Sequence, residues 1–500
     1  MTNLYLRIDL NVTHDQLMTS SMLYEQLAHK YRLAISSGTL RPGDRMPSVR
    51  DLAKQGGVSL STAMAAMHHL ESEGLLQARP RAGFFVSAIS SPRLAPIEDP
   101  HMSRAPDPAQ FVGIHTRVSQ YIAAVQSNPV KVNLSVARCA PELYPVEALK
   151  KVALASLRTS PKQLVTNPPA KGLLEFRSVL AKRALGQGMT LLAKDILVTN
   201  GCIEALNLAL RATTNPGDTV MVESPLFYGL LQILETLNLK ALEIPTSPTT
   251  GISLDAVDLA LQTDKSIKAV VVVPHLQNPL GSIMPNAHKE RLLALCQAHQ
   301  IALIEDDTYS ALMDDEREAH DAPLAIKSWD KTGAVIHCAS LHKVLAPGMR
   351  LGWMSAGRWQ ARVEMLKYSQ SRNNDALQQY VAAQFIGSPA YDRHLRQLRA
   401  KLKIQRQLCV QAINLYFPDG TRVAEPDAGL AIWVRLPDGV SSQRVFEKSI
   451  KEQIFVAPGH MFSNSMRFDN YLRLNCGWPF TQEIDRAIAT LGTIVRSLAV

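Results

Sequence analysis

Lys343 stands between the apolar run AVIHCAS and a Pro347–Gly348 turn, in SLHKVLAPGMRLGW (340–353). A strand that stops at such a turn can present an amine in a cleft, where it can attack a carbonyl and hold it as a Schiff base. Asp306 closes the run IALIED, and Tyr309 lies three residues on. A carboxylate there can keep a ring nitrogen protonated, with Tyr309 and Asn278 (in HLQNPLG) as hydrogen-bond donors. Gly201, Cys202 and Ile203 lie between ILVTN and the helical IEALNLAL, so their N–H groups can form an anion site at a helix start. Arg350 supplies a bidentate fork for the same anion, with the Ser340 hydroxyl beside it. Phe227, in ESPLFYG, offers a stacking platform, with Tyr228 as its alternative. Arg473, in YLRLNCG, can pair with a substrate carboxylate.

Each of these has a plainer reading. Glu305 or Asp307 could replace Asp306 as the working acid. Asn278 could simply form a turn before Pro279, Arg473 could be structural, and Cys202 could be just a small residue in the loop.

The elements that must carry these groups follow from texture. From about residue 131, the apolar runs DILVTNG, DTVMVESP, KAVVVVP, IALIEDD, AVIHCAS and LGWMSA alternate with helical segments. Strands apolar throughout, with helices between them, imply a mostly parallel sheet covered on both faces. Ligands of such sheets gather at the strand ends. Residues 89–130, with Pro92, Pro96, Pro100, Pro106 and Pro108, read as an extended linker followed by one helix.

Residues 1–88 have a different grammar. SMLYEQLAHKYRLAISSG places Leu23, Leu27, Tyr31 and Ile35 at helical spacing, and Gly38 ends that helix. SVRDLAKQ predicts a short helix after Pro47 and Ser48, GGVS a turn, and LSTAMAAMHHLESEG a longer helix capped by Ser59. LLQARPRAGFFVS predicts two strands around an RPRAG tip. This is a helix-turn-helix with a wing, whose second helix would enter a major groove.

Bulk properties set limits. The 500 residues suffice for two or three domains, and 46% hydrophobic with 19% charged residues is an ordinary globular balance. No run approaches a membrane span, the start lacks a secretory pattern, and the six cysteines have no metal-ligand spacing. A cytoplasmic protein with reduced thiols and no bound metal is the expectation. Net charge is +9, yet residues 1–85 hold nine Lys/Arg against seven Asp/Glu. DNA binding must therefore rest on where the charges sit.

Residues 40–76, LRPGDRMPSVRDLAKQGGVSLSTAMAAMHHLESEGLL, resemble the GntR family of bacterial regulators, through Gly38, Leu40, Pro42, Gly43, Pro47, Ser48, Arg50, Leu52 and Ala53. The resemblance implies that Ser48, Arg50, Ser59, Ser61, Thr62, and the wing at Arg81 and Gly83, face double-stranded DNA. Many relatives carry arginines within the recognition helix, where this chain has Leu60 and Met64; readout could use Ser61 and His68 instead.

Residues 131–500 resemble aminotransferases of fold type I that bind pyridoxal 5′-phosphate (PLP). Ser340, Lys343, Pro347, Gly348, Arg350 and Gly352 fit that fold's lysine loop, and the other motifs follow in the family's order. Lys343, Asp306 and Tyr309 would be the catalytic set. His342 stands where Ser or Thr is usual and could touch the phosphate; Asn167 stands where relatives often have a tyrosine.

The combination resembles the MocR subgroup of GntR regulators. It implies a multidomain chain: a winged helix-turn-helix (1–88), a linker (89–130) and a three-layer α/β PLP-binding transferase domain with a smaller α+β part (131–500). It also implies a bacterial homodimer, often head-to-tail, that regulates transcription in response to an amine, an amino acid or PLP through exchange at Lys343. Two other readings stay open: a true aminotransferase with an appended DNA-binding domain, and a regulator whose PLP fold is an inert scaffold.

Overall fold

The computed structural model describes most of the chain; residues 1–22, 29, 32–33, 35–39, 41–42, 73–74, 80–81, 88–93, 101–105, 314–321, 425 and 500 lie outside the described residues. The expectations for Ile35, Gly38, Pro42 and Arg81 therefore fall outside them too. Two compact units divide between Arg93 and Leu94.

In the first unit, residues 23–28 are helical and are followed by helices Val49–Gly56 and Leu60–Ser72. Ser48 caps the former by accepting from the Asp51 N–H at 3.2 Å, and Gly57 ends it with φ +62°. Strands Leu76–Arg79 and Gly83–Val86 pair antiparallel as a hairpin. Leu27, Ala28, Met46, Leu52, Ala63, Ala66, Met67, Leu70, Leu76 and Val86 make a common core. Leu23 is 43% exposed, so the apolar face of the first helix is shorter than its spacing suggests.

The second unit is built on a nine-stranded sheet. Its parallel body runs in the order Lys240–Ser247, Thr219–Ser224, Ile267–Val272, Ala302–Asp307, Val335–Ser340. Gly352–Ser355 then pairs antiparallel with Val335–Ser340 and with Leu197–Thr199. Alternation buries both faces: Val220, Val222, Val271 and Ile304 join one core, Met221, Val270, Val272 and Leu303 the other. Helix Pro389–Tyr416 leads to a smaller, mainly antiparallel five-stranded sheet.

The proline-rich stretch departs from the linker reading. Ala95–Pro96 adds a parallel strand beside Arg422–Val423, and Gln110–Phe111 pairs with Lys240–Ala241. Helix His115–Ser127 is tied down by Arg117, which donates to the carbonyls of His460 and Asn464 at 2.8 Å each. Proline is tolerated in a short edge strand because it need not donate there.

Candidate functional site

The ends of four strands of the parallel body and of Leu197–Thr199 converge on one cleft with a cavity volume of ≈ 230 Å³. Gly201, Cys202, Ile203, Phe227, Asn278, Asp306, Tyr309, Ser340, His342, Lys343, Arg350 and Arg473 all line it. They come from segments spread over most of the second unit, and the sheet brings them together at the end where its strands finish.

Lys343 lines the cleft. Its amine donates to the Ala137 carbonyl and sits 5.4 Å from the centre of the Tyr309 ring. Burial, helped by the nearby Arg473 charge, lowers its pKa to about 8. The free base needed for attack on a carbonyl is thus accessible near neutral pH.

Strand alternation separates the three acids. Glu305 accepts from the Ile326 and Lys327 N–H groups at 2.7 and 3.1 Å and from His337 Nδ1 at 3.0 Å. Asp307 accepts from His275 Nδ1 at 2.6 Å, Gln187 at 2.6 Å and Ser310 at 2.7 Å. Asp306 points the other way, into the cleft. Its Oδ1 accepts from the Thr308 hydroxyl at 2.6 Å and the Cys202 thiol at 3.2 Å. Burial raises its pKa, opposed by those two donors. The Cys202 thiol is therefore a partner of the acid, not only a small residue in a loop.

The anion cradle is the start of helix Gly201–Thr213, which has no side-chain cap. Gly201 has φ +75°, and a Cβ there would lie 3.4 Å from the Arg350 guanidinium. Gly352 lets the Gly201 backbone come close, since a Cβ on Gly352 would be 2.7 Å from it. Ser340 and Arg350 stand beside the cradle. Burial and the charges of Lys343 and Arg350 push His342 down to about 4, so its imidazole is neutral there.

Arg473 is 1% exposed and lines the same cleft. It donates to Asn278 Oδ1 at 3.3 Å and to the Ser135 carbonyl, and it lies over the Phe462 ring. Its Nε has no partner, and no carboxylate among the described residues pairs with it. A buried cation left this way favours an anionic ligand. Asn278 Nδ2 donates to the Tyr309 hydroxyl at 3.3 Å. Phe227 and Tyr228 both reach the cleft, with their ring centroids 4.8 Å apart.

Thr308 and the backbone of 135–137 were not singled out in the sequence. A hydroxyl two residues after an acid at a strand end is a recurrent side-chain-to-backbone turn and could have pointed to Thr308. The Ser135 and Ala137 carbonyls leave no mark on residue type.

In the first unit, Arg50, Ser61 and Gly83 are exposed, and Gly83 has φ +98°. Ser59 caps the recognition helix through the Thr62 N–H at 3.1 Å. Thr62 is buried and its hydroxyl meets Ser59 at 2.7 Å. It holds the helix start and does not face outward, which corrects its expected place on the DNA face. The Ser48 hydroxyl is likewise engaged, donating to Asp51 at 2.6 Å.

A winged helix-turn-helix and a fold type I cleft lined by Lys343, Asp306, Arg350 and Arg473 define a two-part class. The chain matches the aminotransferase class I and II family over residues 130–491 and the gntR family of bacterial regulatory proteins over 23–86. It is 35% identical to the uncharacterized HTH-type transcriptional regulator YdcR of Escherichia coli (strain K12), over 95% of this chain and 99% of that one. It is also 35% identical to YjiR of the same organism, over 94% and 98%. The second unit resembles the Pyrococcus horikoshii kynurenine aminotransferase solved with PMP, with a TM-score of 0.70 and 27% identity over 76% of this chain and 94% of that one. The chain belongs to the MocR type of GntR-family regulators, in which a helix-turn-helix is joined to an aminotransferase class I and II domain. The cofactor of that domain is PLP, and the cleft fits it: an uncapped helix start with Arg350 for a phosphate, Asp306 for a ring nitrogen, Lys343 for an aldehyde. Among the described residues no helix is long and apolar enough to cross a membrane.

Proposed function

We propose that this chain binds operator DNA through residues 23–86 and senses an amine, an amino acid or PLP itself through the Lys343 cleft. The observation that carries the reading is the intact set of Lys343, Asp306, Tyr309, Asn278, Arg350 and Arg473 around one cavity, in a chain that also holds a winged helix-turn-helix. PLP, when bound, supplies an electrophilic aldehyde and an electron sink. The protein's part is to hold it. Asp306 keeps a proton on the ring nitrogen, Asn278 and Tyr309 donate to the ring oxygen, and Ser340, Arg350 and the Gly201–Ile203 N–H groups grip the phosphate. Lys343 offers an amine that an incoming amine can replace, and Arg473 receives a carboxylate.

Such a replacement changes what Lys343 touches, and a ligand shifts an equilibrium only by its unequal affinity for the two states. A homodimer in the bacterial cytoplasm completes the reading. Exposed apolar side chains on the second unit, including Leu154, Leu164 and Val165, support self-association, and two copies present two winged helices to two half-sites.

The test is binding of full-length protein to its own promoter fragment, with and without PLP and a panel of amines. Lys343→Ala should keep DNA binding and lose both the visible cofactor absorption and the response to amines. An unchanged response would overturn sensing through Lys343. The complete catalytic set also favours a second reading, transamination with turnover; sustained release of keto acid from amino acids would establish it.

A further inference from the structure

The recognition helix Leu60–Ser72 turns Thr62, Ala63, Ala66, Met67 and Leu70 into the core. Its other face presents Leu60, Ser61, Met64, Ala65 and His68, with Leu60 55% and Met64 39% exposed. None of these five is Arg, Lys, Asn, Gln or an acid. Bidentate reading of guanine needs Arg or Lys, adenine needs Asn or Gln, and cytosine is read by a carboxylate. The five outward residues have none of these groups, and the half-buried Glu71 carboxylate at the far end of the helix is already taken by His68 at 3.0 Å and the Ala78 N–H at 3.0 Å.

What it offers is aliphatic. Leu60 and Met64 are one helical turn apart and so lie side by side. The only apolar group that a base pair displays in the major groove is the thymine C5-methyl. The surroundings suit DNA in another way. Arg45, Arg50 and Arg79, on the neighbouring turn, helix and wing, are exposed, and none of them pairs with a carboxylate among the described residues. Arg79 lies over the Phe85 ring at 4.4 Å and keeps its charge uncompensated, as Arg45 and Arg50 do; cations without carboxylate partners near an apolar face match phosphates around a groove.

We propose, resting on the DNA-binding reading above, that Leu60 and Met64 set operator specificity by packing on thymine methyls, while the arginines hold the backbone. Half-sites are then fixed by thymines at two or more positions facing this helix, and guanine contacts add little to selectivity.

The experiment selects a random-sequence duplex pool on the full-length protein, then resynthesises the selected site with dU for dT, which removes only the methyl. Each critical methyl removed should weaken binding about fourfold, the change equivalent to ~0.8 kcal/mol for a buried carbon. Leu60→Ala and Met64→Ala should erase the difference between dT and dU, yet leave non-specific binding at low salt intact. Met64→Leu should retain it. Both side chains are exposed, so shortening them leaves the core filled. If no duplex binds, the DNA-binding reading itself fails. If selected sites bind and dU equals dT, that reading stands and this proposal falls. It falls equally if Leu60→Ala alters oligomeric state by light scattering but leaves DNA affinity unchanged, because the face then packs on protein.

Discussion

The cleft around Lys343 and the outward face of the recognition helix solve opposite problems. The cleft gathers charge inside protein, and Asp306, Arg473 and Lys343 each have at least one partner from far along the chain. Asp306 leans on Cys202 and Thr308, Arg473 on Asn278 and Ser135, Lys343 on Ala137. The helix face comes from one continuous stretch, is largely apolar, and keeps its cations outside. Buried charge demands fixed partners because water is excluded. An exposed face can wait for its partner to arrive. Damage to the cleft's supports should therefore be costly to the fold, whereas damage to the helix face should be costly mainly to recognition.

The largest effect tests the supports behind the cleft. Asp307 is buried against His275, whose other nitrogen meets the Lys289 ammonium at 2.8 Å. Lys289 can only donate, so His275 Nε2 accepts and its Nδ1–H donates to Asp307. Burial alone would raise the Asp307 carboxyl, but His275, His337 and Ser310 hold it well below the usual carboxylate range. A depressed carboxyl stabilises the fold above its unfolded value of ~3.9, and loses that contribution only as pH falls through the folded value. Asp307→Asn should thus destabilise the apo-protein by about 3–5 kcal/mol at neutral pH, read by denaturant unfolding. Asp306→Asn, one residue away, should leave stability nearly unchanged and impair PLP binding instead. Equal destabilisation by both would break the contrast drawn between neighbouring acids.

A smaller effect reads the electrostatics of the cleft directly. The Lys343 ammonium is disfavoured by burial first and by Arg473 second, with its pKa lowered to about 8. Attachment of PLP to apo-protein requires the free amine, so its rate should climb with pH to a midpoint near 8. Arg473→Met keeps bulk but removes the charge, so the midpoint should move upward. A midpoint that stays in place would show that Arg473 exerts no field at the lysine.

The same contrast explains what the sequence disclosed. Lys343, Arg350 and Gly201 were legible because they sit in short motifs whose turns place them regardless of distant contacts. The recognition helix was legible because cap, length and periodicity are all local. Asp306 was ambiguous as a residue type among three acids; the strand's period of two separates it once its faces are known. Arg473's burial against Ser135 spans most of the domain, and no local pattern carries it. The proline-rich stretch was misleading for a related reason. Ala95–Pro96 becomes a strand only because Arg422–Val423 offers an edge, and a two-residue strand has no periodicity to read. Thr62 failed in the opposite direction: a hydroxyl near a helix start suggests a phosphate contact, but the helix phase turns it inward.

The smallest effect asks whether the recognition helix stands on its own cap. Ser59 Oγ accepts from the Thr62 N–H at 3.1 Å and meets the Ser61 and Thr62 hydroxyls at 2.8 and 2.7 Å. Ser59→Ala removes the cap and should cost about 1 kcal/mol locally. Hydrogen exchange in full-length protein should then quicken by about fivefold over residues 60–72, since such exchange follows the opening free energy. Specific DNA affinity should fall modestly, because Leu60 and Ser61 belong to the first turn that the cap orders. PLP binding should stay unchanged, as no support of the cleft depends on Ser59. Unchanged exchange would mean that core residues such as Ala63 and Met67 alone hold the helix start. Its apolar reading face would then be set by packing, as the cleft is, and the distinction between the two regions would narrow to the presence of charge.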